Sequence, residues 1–216
     1  MFTDFINNPI STFIYFGALI ISITVHEFSH AYAADKLGDP TARLMGRLTP
    51  NPMAHLDPIG TLLILFAHFG WGKPVPFDPY NLKNPRRDSA IISVAGPASN
   101  LLLALAASIL LQLLPQMSGL AGIIGNIILE PLIILNVGLA IFNLVPIHPL
   151  DGFKIVEGIL PEDMSRQWSQ LQSLGIMMML ILVFPFFGSS PVLRIISPII
   201  STIISFLIPA TAVFYN

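Results

Sequence analysis

The sequence predicts an all-α polytopic membrane protein: five full transmembrane helices, one short or re-entrant helix, and a small β-hairpin region between the first and second full spans. Three observations carry this expectation. Hydrophobic residues make up 54% of the 216 positions and charged residues only 10%, against about 25% charged in average soluble domains. Mean hydropathy is +0.76. Several apolar stretches reach the roughly 20 residues that a helix needs to cross a bilayer.

The first span is expected over 10–34. Residues 1–8 carry no Lys or Arg, so this run is taken as a retained span rather than a signal peptide. Residues 35–58 are polar and turn-rich, with Gly38-Asp39-Pro40 and Thr49-Pro50-Asn51-Pro52. The weak alternation of Arg43, Leu44, Arg47 and Leu48 suggests the hairpin. The apolar piece 59–71 is short for a span and fits the re-entrant element. Residues 72–88 are polar again, with four prolines at 74, 76, 79 and 85.

Further full spans are expected over 90–114, 123–145, 171–187 and 191–214, with a more polar, partly helical stretch at 153–170. Lys and Arg number three in 36–47, four in 73–87 and two in 154–166. If 59–71 does not cross, all three basic loops share one side, which charge bias makes cytoplasmic. The whole is expected to be one domain, 1–216, with a core at about 10–160 and accessory helices at about 164–214.

Net charge is −2 and the chain has no Cys. Nucleic acid is therefore not expected as a partner, and neither disulfides nor thiolate metal ligands are available. Inside the first apolar run stands Val25-His26-Glu27-Phe28-Ser29-His30. Each ionisable group at such depth costs about 2.5–3.5 kcal/mol on insertion scales, so three within five positions call for a use. At i and i+4 the two His share one helix face. They can turn ring nitrogens toward one metal ion, with Glu27 beside them to handle the metal's water. A hydrolytic zinc site takes three protein ligands. Acids in apolar surroundings are few: Asp151 and Glu130 are the main candidates, and Asp151, after a Pro-broken segment and before Gly152, is the better placed.

His26-Glu27-Phe28-Ser29-His30, Gly96-Pro97-Ala98-Ser99-Asn100 and Asn143-Leu144-Val145-Pro146-Ile147-His148-Pro149-Leu150-Asp151-Gly152 together resemble the site-2 protease family of intramembrane zinc metalloproteases. Gly72–Arg87 resembles its compact prokaryotic branch, and no PDZ-like or CBS-like segment is evident. The bias of the basic loops puts the site nearer the cytoplasmic side. The resemblance implies one zinc ion per chain, a transmembrane protein as substrate and a lipid bilayer as surroundings. It implies His26, His30 and Asp151 as metal ligands and Glu27 as the general base and acid. By position, Asn143 and Asn100 match polar residues near the site and are expected, with His148 and His55, as substrate-binding or oxyanion residues. His148 stands where the family usually has Pro and could instead shift the loop, donate a proton or act as a spare ligand.

His55 is either a pocket residue or a structural histidine. His68 is expected to pack or sit at the interface. Gly96 is expected mainly as a small residue at a helix contact, and Asn136 as a cross-helix hydrogen bonder. Met177, Met178 and Met179 are expected to face lipid or pack, and Phe184, Pro185, Phe186 and Phe187 to anchor at the interface. The rival reading is a metal-binding transporter or non-proteolytic scaffold. Glu27→Gln separates the two, since only a protease must lose turnover with that carboxylate.

Overall fold

The computed structural model describes residues 8–67, 71–113, 125–183 and 190–208. His68, Phe184, Pro185, Phe186 and Phe187, for which packing or interfacial roles were expected, lie outside them.

Helix α1 runs Pro9–Leu37. Asn8 caps its start by accepting from Ser11 N, and Pro9 occupies the first turn, where its missing N–H costs nothing. Gly38 ends it at φ 108°, a left-handed position that glycine takes without strain. Helix α2 is the short apolar Pro58–Ala67. Helix α3, Pro85–Leu113, opens with Asp88 accepting from Asn84 N at 2.9 Å. A π-turn at Gly125–Leu129 leads into α4, Glu130–Asn143. Then come α5, Asp151–Ile159, and α6, Glu162–Gln170. Helix α7 is Gly175–Val183 and α8 is Pro191–Leu207, capped by Ser190 on Leu193 N.

Five full spans are not found. Among the described residues, two helices are long and apolar enough to cross a membrane, α1 and α3. The stretch 123–145 is broken by the π-turn, and the regular part from Glu130 has 14 residues, about 21 Å against the roughly 30 Å of a hydrocarbon core. The stretch 171–187 begins as a 3₁₀ turn at Leu171–Leu174 before nine residues of α7. Helix α8 has 17 residues with Pro198 inside it.

The β-hairpin is also absent: among the described residues the loops between α1 and α3 hold one isolated antiparallel bridge, Leu56 to Gly72, and no strand. Proline at 50, 52, 74, 76 and 79 removes the donors a ladder needs. The remaining backbone groups go to side chains. Arg47 donates to the carbonyls of Lys73 and Pro74, and Asp39 accepts from Asp78 N at 2.7 Å.

The helices pack through two ladders of period four. On α1, Ala18, Ser22, His26, His30 and Ala34 are buried; on α3, Ile92, Gly96, Asn100, Ala104 and Ser108 are. Rows at i, i+4 form the ridges by which helices interdigitate. An apolar cluster of Ala104, Ala107 and Leu111 on α3 with Ile133 and Val137 on α4 closes one end, and Ile200, Ile203 and Ile204 of α8 pack on it. Only 33% of the most apolar window of α1 and 39% of that of α3 is buried. The outer faces show Ile10, Phe13, Ile21, Leu102 and Ile109, an apolar surface suited to lipid rather than water.

Candidate metal centre

His26 and His30 stand one turn apart on α1. Asp151 is the first residue of α5. The chain reverses from α4 into α5 so tightly that a Cβ at Gly152 would strike the carbonyls of Leu144 and Val145. That tightness brings Asp151 back against α1. Nε2 of His26 and Nε2 of His30 are 3.1 Å apart, and each is 3.2 Å from Oδ2 of Asp151. Both imidazoles are buried. Among the described residues this is the group of three whose donor set suits a metal ion.

The far side of each ring determines what the near side offers. His30 Nδ1 lies 2.7 Å from the carbonyl of Ile92, which can only accept. His26 Nδ1 lies 2.5 Å from Oδ1 of Asn100, whose Nδ2 is already donating to Ser22 O at 3.0 Å and to Asn136 Oδ1 at 2.6 Å. Both Nδ1 atoms therefore carry the proton, and both Nε2 atoms turn lone pairs inward. Three acceptors face one another, and Oδ2 of Asp151 is buried with no hydrogen-bond donor. Acceptors at such spacing repel unless a cation lies among them. In a tetrahedral zinc shell with bonds of 2.0–2.1 Å, neighbouring ligand atoms are about 3.3 Å apart. The residues fit the ion, and the backbone carbonyl and the amide behind them are the outer partners that metal-bound histidines use.

Gly96 lies directly beneath the pair. A Cβ there would strike Nε2 and Cε1 of His30 and Cε1 of His26. It is a small residue at a helix contact, as expected, and what it makes room for is the imidazoles themselves.

Glu27 lies outside the triangle. Its Oε2 accepts from Val75 N at 3.0 Å, in the extended segment that crosses beside α1. That segment is held from below by Arg47 and Asp39, and Lys154 of α5 sits over the Phe77 ring at 5.8 Å. Asp39 collects four donors: Thr41 N, Thr41 Oγ1, Asp78 N and Asn81 Nδ2. The sequence marks Asp39 only as part of a turn and Arg47 only as part of the expected hairpin. Both are buried charges, which a motif search does not rank.

The remaining expected residues are not members of the triangle. Asn100 supports His26. Asn143 is half-buried at the end of α4, donating to Leu139 O at 3.0 Å. His55 is fully buried; its Nε2 meets Thr49 O at 2.7 Å and its carbonyl accepts from Lys73 N. His148 packs edge-on against Phe153 at 5.7 Å. Burial, and then the nearby Lys154 cation, hold its imidazole below the ordinary pKa, so it is neutral at pH 7. Glu130, the other acid considered as a ligand, is at the opposite end of α4 and not in the group.

Comparison with known proteins adds a family. The family model described as Peptidase family M50 matches residues 115–186, a stretch that includes Asp151. YwhC of Bacillus subtilis (strain 168), assigned by its name to the zinc metalloproteases, is 43% identical over 175 residues, 79% of this chain and 80% of its own length. Rip2 of Mycolicibacterium smegmatis, named to the same class, is 30% identical over 76% of this chain and 64% of its own length. Zinc metalloprotease MJ0392 of Methanocaldococcus jannaschii is 28% identical over 77% of this chain and 39% of its own length. No solved structure gives a significant match.

Proposed function

Since this chain belongs to peptidase family M50, the site-2 proteases, and is a zinc metalloprotease, we propose that it hydrolyses peptide bonds in or near transmembrane segments of other membrane proteins, using a zinc ion held by His26, His30 and Asp151. The observation that carries the reading is the buried triangle of three acceptors, from α1 and the start of α5, with no donor among them. The ion would supply a Lewis acid for the scissile carbonyl and bring the pKa of water to about 7.

The chain supplies the rest. Asn100 and the Ile92 carbonyl hold the two rings in the tautomer that leaves Nε2 free. Glu27, beside the ligands but not among them, takes a proton from water at its carboxylate and returns it to the leaving amine. The Val75 N–H holds one of its oxygens in place. Asn143, at the end of α4, is placed to donate to substrate backbone or the developing oxyanion. His148, neutral at pH 7, lines the approach without adding charge. The substrate helix must unwind, and its freed backbone groups need partners where water is scarce. The basic loops support a site nearer the cytoplasmic side.

The test is Glu27→Gln in purified protein with a transmembrane reporter substrate. Zinc stoichiometry should stay at one per chain while turnover falls by about 10²–10⁴-fold, the usual worth of a positioned acid–base group. His26→Ala and Asp151→Ala should lose the metal as well. Undiminished cleavage by Glu27→Gln would remove this carboxylate from the mechanism, whereas zinc-loaded wild type that cleaves no such reporter would favour a scaffold or transporter.

A further inference from the structure

We propose that Asn136, on α4 and hydrogen-bonded to neither histidine, is a positioning residue for the metal centre: it fixes through Asn100 the ring tautomer that His26 presents. The proposal rests on His26 being a metal ligand. Its basis is a chain of hydrogen bonds through three fully buried side chains, whose direction is forced at every step.

The chain begins at two backbone carbonyls, which can only accept. Ser22 Oγ donates to Ala18 O at 2.7 Å, so its lone pairs are left for a donor. Asn136 Nδ2 supplies that donor, at 2.8 Å from Ser22 Oγ and 2.8 Å from Leu132 O. With its nitrogen engaged twice, Asn136 can turn only Oδ1 toward Asn100. Asn100 Nδ2 then donates to Asn136 Oδ1 at 2.6 Å and to Ser22 O at 3.0 Å. Both of its N–H groups are used, and only Oδ1 remains for His26 Nδ1, at 2.5 Å. His26 must carry its proton on Nδ1, and Nε2 keeps its lone pair for the metal. Ser22, Asn100 and Asn136 are each 0% exposed, so no solvent water competes for these groups.

Removing Asn136 leaves one Asn100 N–H without a partner in a dry interior. Asn100 is then free to rotate, and an amide N–H facing His26 Nδ1 would favour the wrong tautomer. Outer partners of metal-bound histidines are worth about 10–100-fold in metal affinity. Asn136 acts one step farther out, so about tenfold is expected.

The experiment uses the full chain in detergent micelles. Zinc dissociation constants are measured by chelator competition for wild type, Asn136→Leu, Asn136→Ala and Thr24→Val. Thr24 bonds only Ile20 O and controls for loss of a buried polar group on α1. In parallel, ¹⁵N-histidine NMR of metal-free protein reads the His26 tautomer. The expected result is a zinc constant raised about tenfold in both Asn136 variants and unchanged in Thr24→Val, with a mixed His26 tautomer where wild type shows Nδ1–H alone. Asn136→Ala keeps the test in force if the leucine does not fold. A lower melting temperature with unchanged zinc affinity and a single tautomer would reduce Asn136 to a packing residue and overturn the proposal. His26→Ala that still binds zinc would instead strike at the ligand assignment beneath it.

Discussion

Gly96 is where one methyl group decides whether the histidines can stand together. A Gly to Ala change within a helix ordinarily gains about 1 kcal/mol of propensity. Here the new Cβ meets both imidazoles, and overpacking of a filled interior costs about 1–3 kcal/mol. The steric effect should win, and it falls on the rings themselves. Gly96→Ala is expected to fold yet to lose at least tenfold in zinc affinity, read by chelator competition; wild-type affinity would mean that the rings have room to move. That His26 and His30 share one face was legible in the sequence because their spacing states it. That Asp151 meets them was legible because few acids compete with it. Asn136 was seen as a cross-helix hydrogen bonder and no more, since its importance lies in polarity passed along a chain of partners that one-dimensional spacing does not display. Arg47 and Asp39 stood only in a turn and an expected hairpin, and nothing in their spacing pointed to their burial.

The stretch between α1 and α3 is the one whose sequence suggests a hairpin and that does not form one. It keeps its shape through buried charges instead. Burial by itself would raise the Asp39 pKa, but the hydrogen bonds from Thr41, from Asp78 N–H and from Asn81 outweigh it and hold the carboxyl below its ordinary value. A depressed carboxyl stabilises the fold fully above its ordinary pKa of about 3.9. That contribution is lost as pH falls through the lower folded value. Asp39→Asn should therefore destabilise the protein at pH 7 by about 1–3 kcal/mol, the cost of unpaired buried donors. The gap to wild type should narrow in acid, below pH ~4. Thermal unfolding across pH measures it, and a gap that stays constant down to strong acid would sink the assignment. Because Asp39 and Arg47 anchor the strip that carries Val75 to Glu27, Asp39→Asn should also lower turnover without changing zinc content.

At the scale of the whole molecule, the apolar periodicity announced membrane helices correctly in kind and overestimated their number. Hydropathy counts apolar residues, while spanning needs a long regular helix, and among the described residues the π-turn at Gly125–Leu129 and the 3₁₀ turn at Leu171–Leu174 depart from it. Among the described residues the result is two long helices, α1 and α3, with apolar outer faces and a polar seam between them. The polar seam is buried and narrow, with Gly96 and Gly72 leaving no space for added atoms beside His30 and Ile23. A helical substrate about 10 Å wide with its side chains does not fit such a seam, whereas an extended chain is thinner and exposes its carbonyls. Opening a helix in an apolar setting costs several kcal/mol per unsatisfied backbone group, so the residues that make opening easy should govern the rate. Reporter segments with Gly or Pro near the scissile bond are expected to be cleaved at least tenfold faster than a continuous Leu-rich helix of equal length, measured in proteoliposomes at equal enzyme and substrate density. Equal rates would mean that unwinding is not limiting and that the enzyme takes its substrate where the chain is already extended.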